Sequence, residues 1–267
     1  MFWSTPKCPL DDDSRQWVDE SFRWLVEELS PEVVCSVPVV LPDEHFFPDQ
    51  YDGSRRSIRK MVDRVCEYMD VDPELIEVRF FEGESTGRIH PLASPESGES
   101  HPLGIYMMKP SGKYTISLNM DQAGNPEMMV ATIAHELGHV ILLGEGRLDE
   151  DFEGHEPLTD LLTVAYGFGV FSANSSFVFE QWTNAQFQGW RASGAGYLTE
   201  EAYGYALALF AHFRSERKPA WSKYLKTNVK AYFKRSARYL EKNPPNLSFD
   251  ISPEDADRKS SRTIDRV

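Results

Sequence analysis

The residues with the clearest chemical potential are His135, Glu136 and His139, set in the stretch Ile133-Ala134-His135-Glu136-Leu137-Gly138-His139-Val140-Ile141. Side chains four apart lie on one face of an α-helix, so the two imidazoles can converge on one metal ion. Neutral imidazole nitrogens about 2.0–2.1 Å from zinc supply two corners of a tetrahedron. Glu136 follows the first histidine, where its carboxylate can reach a metal-bound water without entering the coordination sphere. Zinc brings the pKa of such a water toward about 7, and a carboxylate alongside can take its proton as it attacks a carbonyl. Burying two histidines and a glutamate among Ile133, Ala134, Val140 and Ile141 with no ion to bind would be costly.

A third protein ligand is needed, with the fourth position left open. His155, Glu156 and Asp160 follow at a suitable distance. Glu156 and Asp160 are four apart, so one can bind metal while the other accepts a hydrogen bond from a ligand histidine, fixing its tautomer. His155 is a further candidate ligand. Pro157 disfavours helical backbone at Glu156 and places that residue at a helix cap.

The elements around these residues are legible from periodicity and capping. Ser14–Leu29 reads as a helix stopped by Pro31, and Val33–Leu41, β-branched and broken by Pro38, as an extended segment. After the Pro- and Asp-rich loop Pro42–Gly53, Ser54 caps a helix to Met69 with the stripe Ile58, Met61, Val62, Val65 and Met69. Ile76–Phe81 reads as a strand, Glu82–Gly104 as a long loop, and Ile105–Met108 with Tyr114–Met120 as a hairpin. Asn125 as N-cap, Pro126 and Glu127 open the helix that carries His135 and His139, and Gly144 ends it. An acidic stretch, Glu145–Glu156, leads to a helix opening at Pro157. Thr199 caps another reaching His212, and Trp221–Leu240 forms a last one, with Trp221, Leu225, Val229, Tyr232, Phe233, Ser236 and Leu240 near one face. Gly167 and Gly169 suit helix packing or a sharp break and spell no phosphate loop. His45, His90 and His101 lie in loops without ligand spacing.

His135-Glu136-Leu137-Gly138-His139 followed by Glu156 and Asp160 resembles the active site of the gluzincin metallopeptidases, the thermolysin-like group. The strand-then-helix order is similar to compact intracellular members such as the ImmA-type peptidases. The resemblance covers about Ile105–Phe171, a quarter of the chain. It implies one Zn2+ per chain held by His135, His139 and Glu156, with Asp160 orienting a histidine and Glu136 as general base. It implies that the strand before the active helix is an edge on which an extended substrate pairs. It also implies a downstream His or Tyr stabilising the oxyanion, for which Tyr166, Tyr203, Tyr205 and His212 are the candidates.

Composition bounds the setting. The 267 residues carry 28 Lys and Arg against 42 Asp and Glu, a net charge of −14 that argues against a general nucleic-acid binder. Hydrophobic residues at 41% exclude a disordered chain, and no apolar run reaches the roughly 18 residues needed to span a bilayer. The N-terminus has no apolar signal core, and the three cysteines are odd in number and widely spaced, which fits the reducing cytoplasm. The segment from His212 to Lys242 stands apart, with ten basic and two acidic residues for a net of +8.

These readings predict an α+β, zincin-like metallopeptidase domain in which a small sheet and the active helix pack against a helical subdomain. Residues 1–52 would pack on a catalytic domain spanning 53–242, with 243–267 as a loosely held tail. The expected activity is zinc-dependent hydrolysis of a protein or peptide substrate, without membrane partners. The acidic stretch, if it overhangs the cleft, would favour basic or polar peptide segments. The rivals are a DNA- or partner-associated regulator that cleaves one dedicated protein, and a pseudoenzyme with a structural zinc site.

Overall fold

A computed structural model of the chain describes residues 6–83, 104–108, 112–149, 152, 154–183 and 197–245, with backbone alone for 104–108 and 177–183. The architecture is α+β and mostly helical, with one small sheet. Helix α1 (Asp12–Leu29) opens where the Asp11 side chain accepts the Ser14 N–H, and it buries Val18, Phe22, Leu25 and Val26 along one stripe. The chain breaks at Ser30 (φ 77°), which caps a short helix α2 (Pro31–Ser36). Part of the expected extended segment is therefore helical, because the Ser30 cap and Pro31 at the first position outweigh the β-branched pair Val33 and Val34. Helix α3 (Arg55–Tyr68) is capped by Ser54 and buries the anticipated Ile58, Met61, Val62 and Val65.

Strands β1 (Ile76–Phe81), β2 (Gly104–Met108) and β3 (Tyr114–Asn119) form a sheet of order β1-β3-β2. β1 runs parallel to β3, with Ile76 beside Tyr114, and β2 runs antiparallel to it, with Tyr106 beside Ile116. The strand before the active helix is thus central and not an edge. Both of its sides are taken by ladder hydrogen bonds, so an extended substrate has no free backbone to pair with on β3. The expected hairpin of β2 and β3 is present. Residues 84–103 of the long loop lie outside the described residues.

Helix α4 (Pro126–His139) runs through the centre, with every residue from Met128 to His139 buried. The Asn125 side chain accepts the Met128 N–H, and the helix ends in one π-helical turn, Val140–Gly144. The sheet and α3 pack on one side of α4. Helices α5 (His155–Ala165) and α6 (Gly169–Thr183) pack on the other. Helix α6 has no signature in the sequence. Its residues Val170–Ser176 are buried all round, so no apolar stripe marks it, and its Ser and Asn content suggests irregular chain. Helix α7 (Glu200–Phe213) starts at the expected Thr199 cap, and α8 (Thr227–Leu240) packs along it. The expected continuous helix from Trp221 is split, because Leu225 and Lys226 are extended between a 3₁₀ segment (Ala220–Tyr224) and α8. Its inward stripe is nonetheless correct except for half-buried Tyr232. One continuous apolar core joins α1 to α8. No helix among the described residues is long and apolar enough to cross a membrane.

Candidate metal centre

The site forms where the last turn of α4 meets the first turn of α5. Gly138 permits the approach, since a Cβ there would lie 2.7 Å from Thr159 Cγ2. α5 begins at His155, two residues earlier than expected, so Glu156 lies inside the first turn and not at the cap. Pro157 falls in that first turn, whose N–H groups have no intrahelical partner, so its missing donor disrupts no ladder bond.

His135, His139 and Glu156 come together as a group that could hold a metal ion. His135 Nε2 is 3.0 Å from Glu156 Oε2 and 3.1 Å from His139 Nε2, and His139 Nε2 is 3.6 Å from the same carboxylate oxygen. Ligand atoms about 2.0–2.1 Å from one tetrahedral ion would lie about 3.3 Å apart, so the donor spacing fits one zinc-sized ion. The outer ring nitrogens are also held. His135 Nδ1 lies 2.9 Å from Asp160 Oδ1, and His139 Nδ1 lies 3.3 Å from Thr159 Oγ1. Thr159 gives its own proton to the His155 carbonyl at 2.7 Å, which leaves its lone pairs for His139 Nδ1–H. With both Nδ1 atoms so held, loss of a proton from either ring would leave its Nε2 lone pair facing the shared centre.

Electrostatics follow from this packing. Burial alone would push the His135 pKa down, but its bonds to Asp160 and Glu156 outweigh that and hold it well above the usual histidine range. Burial would raise Glu156, yet the charge of His139 and hydrogen bonds from both histidines hold it well below the usual carboxylate range. Glu136 points past the group. Burial lifts its pKa to about 6 against the pull of His139 and His135, and its Oε2 is buried with no hydrogen-bond partner among the described residues.

Of the three candidates for third ligand, only Glu156 joins the histidine group. Asp160 stands behind His135, and its second oxygen accepts the Leu198 N–H at 2.8 Å. His155 is half-buried beside the group, its ring centroid 5.6 Å from that of His139. The four proposed oxyanion stabilisers are not gathered at the group. Tyr203 lies near Asp160 and Ser172, behind the histidine. Tyr205, two residues on and so on a different face of α7, donates to Asp19 of α1 at 2.8 Å. Tyr166 caps the far end of α5 near Arg147, where burial pushes its hydroxyl up to about 12, and His212 is exposed at the end of α7. Tyr197 takes the place expected of them, with its ring centroid 5.3 Å from that of His135. Burial, with Glu156, Glu136 and Asp160 adding to it, holds its hydroxyl well above the usual range and therefore neutral. Tyr197 lies on the extended lead-in to α7, where no spacing rule points. The Leu198–Asp160 bond carries it to the site.

Glu145 of the acidic stretch pairs with Arg147 at 3.0 Å, and residues 150, 151 and 153 lie outside the described residues. His45 is exposed, and His90 and His101 lie outside the described residues. A cavity of about 310 Å³, walled by Phe47, Met61, Val130 and Phe171, opens at the opposite end of α4 and is separate from the metal group. Compared with known family models, curated proteins and solved structures, the chain matches none.

Proposed function

We propose that the protein is a zinc-dependent metallopeptidase with a zincin-like catalytic core. In this reading β1–β3 and α4 form one wall of the cleft, and α5–α7 form the other. The observation that carries the reading is the buried Glu136 carboxylate, one oxygen of which has no hydrogen-bond partner among the described residues, beside three converging donors, His135, His139 and Glu156. A zinc site serving only to tie helices together has no use for a buried carboxylate at that position.

Two imidazoles and one carboxylate suit zinc and leave its fourth position for water or substrate. Zinc held there would acidify a water and polarise the scissile carbonyl. Glu136 would accept the proton of the attacking water and pass it to the amine nitrogen as the C–N bond breaks, so that acid and amine products both balance. A carboxyl lifted to about 6 by burial is well matched to taking and returning a proton near neutral pH. Asp160 and Thr159 keep the two imidazoles oriented throughout. The neutral Tyr197 hydroxyl would donate to the oxygen that gains negative charge.

Replacing Glu136 by Gln keeps size and removes basicity. Glu136→Gln should retain wild-type zinc content and thermal stability while turnover of a cleaved protein or peptide falls by at least about 100-fold. Equal turnover in Glu136→Gln and wild type would overturn the proposal.

A further inference from the structure

The second unusual feature of the chain is its basic segment, and the structure shows how α8 disposes it. Val229, Phe233, Ser236 and Leu240 are buried against α7. The opposite face carries Lys230, Lys234, Arg238 and Lys242 at four-residue steps, with Arg235 beside them. Lys234, Arg235 and Arg238 are exposed and make no ion pair among the described residues. The Lys230 ammonium is drawn into the row by the Lys223 carbonyl at 3.2 Å. Glu241 is the only acidic residue of α8 and its C-cap. Like charges four apart on a helix repel, so this row opposes helix stability in a chain whose net charge is −14.

We infer that the outward face of α8 binds the phosphate backbone of duplex DNA without base preference. At 1.5 Å per residue, Lys230 to Arg238 spans about 12 Å, room for about three phosphates of one strand, whose separation along the backbone is about twice their 3.4 Å rise along the duplex axis. A membrane surface fits less well, because the apolar side of α8 is turned onto α7 and nothing is left to insert. A protein partner fits less well too. The uncharged exposed positions of α8 are Thr227, Asn228 and Ala231, its tyrosines Tyr232 and Tyr239 are half-buried, and lysine-rich faces are poor interface cores. The net charge excludes binding over the general surface, which confines the contact to this face.

Binding of the full-length protein to a fluorescein-labelled 20-base-pair duplex, followed by anisotropy, tests the assignment. About three neutralised phosphates, facing Lys234, Arg235 and Arg238, predict a log–log salt slope of about −2.7 and a loss of roughly 40-fold between 50 and 200 mM KCl. Lys234→Glu/Arg238→Glu should weaken binding at 50 mM salt by at least about 10-fold, and Lys234→Gln/Arg238→Gln by a smaller factor. Arg55→Glu/Arg56→Glu, an equal charge change at exposed positions of α3, should leave it unchanged. No binding at 50 mM salt, or an equal loss in the α3 variant, would overturn the inference. So would polyglutamate or phosphatidylserine vesicles competing as well as DNA at matched charge, which would assign the face to an acidic protein or a membrane.

Discussion

Helices α4 and α8 both carry ionisable side chains at four-residue spacing, and the fold treats them in opposite ways. On α4, His135 and His139 face inward and lie buried, their outer nitrogens held by Asp160 and Thr159. On α8, Lys234 and Arg238 face outward with no ion pair among the described residues. The same spacing yields a group that could hold a metal ion in one case and an open electrostatic surface in the other. What separates them is the apolar neighbourhood. α4 is buried all round from Met128 to His139, so its histidines must find partners inside. α8 has one apolar stripe, so its charges turn to water.

The largest effects should come from breaking the inward group. Glu156→Ala or His139→Ala should abolish stoichiometric zinc in protein purified without chelator, measured by elemental analysis, because each removes a donor from a three-donor site. If His155→Ala loses the metal while Glu156→Ala keeps it, the site is assigned to the wrong side chain.

Asp160→Asn should weaken zinc by about 10–100-fold, as expected when a histidine loses the partner that fixes its tautomer. Tyr203→Phe, which removes a hydroxyl near Asp160, should shift affinity in the same direction by less. Competition with a calibrated chelator measures both, and an unchanged affinity in Asp160→Asn would detach it from the site.

Packing comes next. Gly138→Ala places a methyl against Thr159 Cγ2 and should destabilise the fold by about 1–3 kcal/mol in thermal unfolding. Lys234→Ala on α8 should stay within about 0.5 kcal/mol of wild type in the same assay. Equal costs at the two positions would remove the distinction between buried and exposed faces.

Titration sharpens the contrast further. His135 has a raised pKa, so in chelated protein its contribution is complete below the ordinary value of 6.5 and is lost as pH rises through the raised value. Glu156 is depressed, so its contribution is complete above 4.5 and is lost as pH falls through the lowered value. Zinc needs both imidazoles neutral, so its affinity should rise with pH over the range in which the chelated protein loses the His135 contribution. The melting temperatures of zinc-loaded and chelated protein should therefore diverge as pH rises above 6.5, through the raised value of His135. A constant gap would show that no proton leaves when metal binds.

Much of this organisation rests on short-range signals. The Ser54, Asn125 and Thr199 caps, the bounds of β1 and the stripe of α3 depend on neighbours within one turn or on strand alternation, and each appears where the sequence placed it. The His135–Glu136–His139 triplet was legible for the same reason, since helical spacing alone puts the two imidazoles side by side.

The remainder depends on long-range packing. The central position of β3 required β1, far away in sequence, to pair along its free side. The choice of Glu156 over its neighbour His155 depended on where α5 starts and how closely Gly138 lets it approach α4. Tyr203, Tyr205 and Tyr197 are alike in type, and only the tertiary fold decides that one backs Asp160, one binds Asp19 and one reaches His135. By itself the sequence determined which residues could bind metal, act as a base or repel one another, because those properties belong to side-chain chemistry and local spacing. The tertiary structure decided which of them meet, because that depends on which helix faces are buried against which.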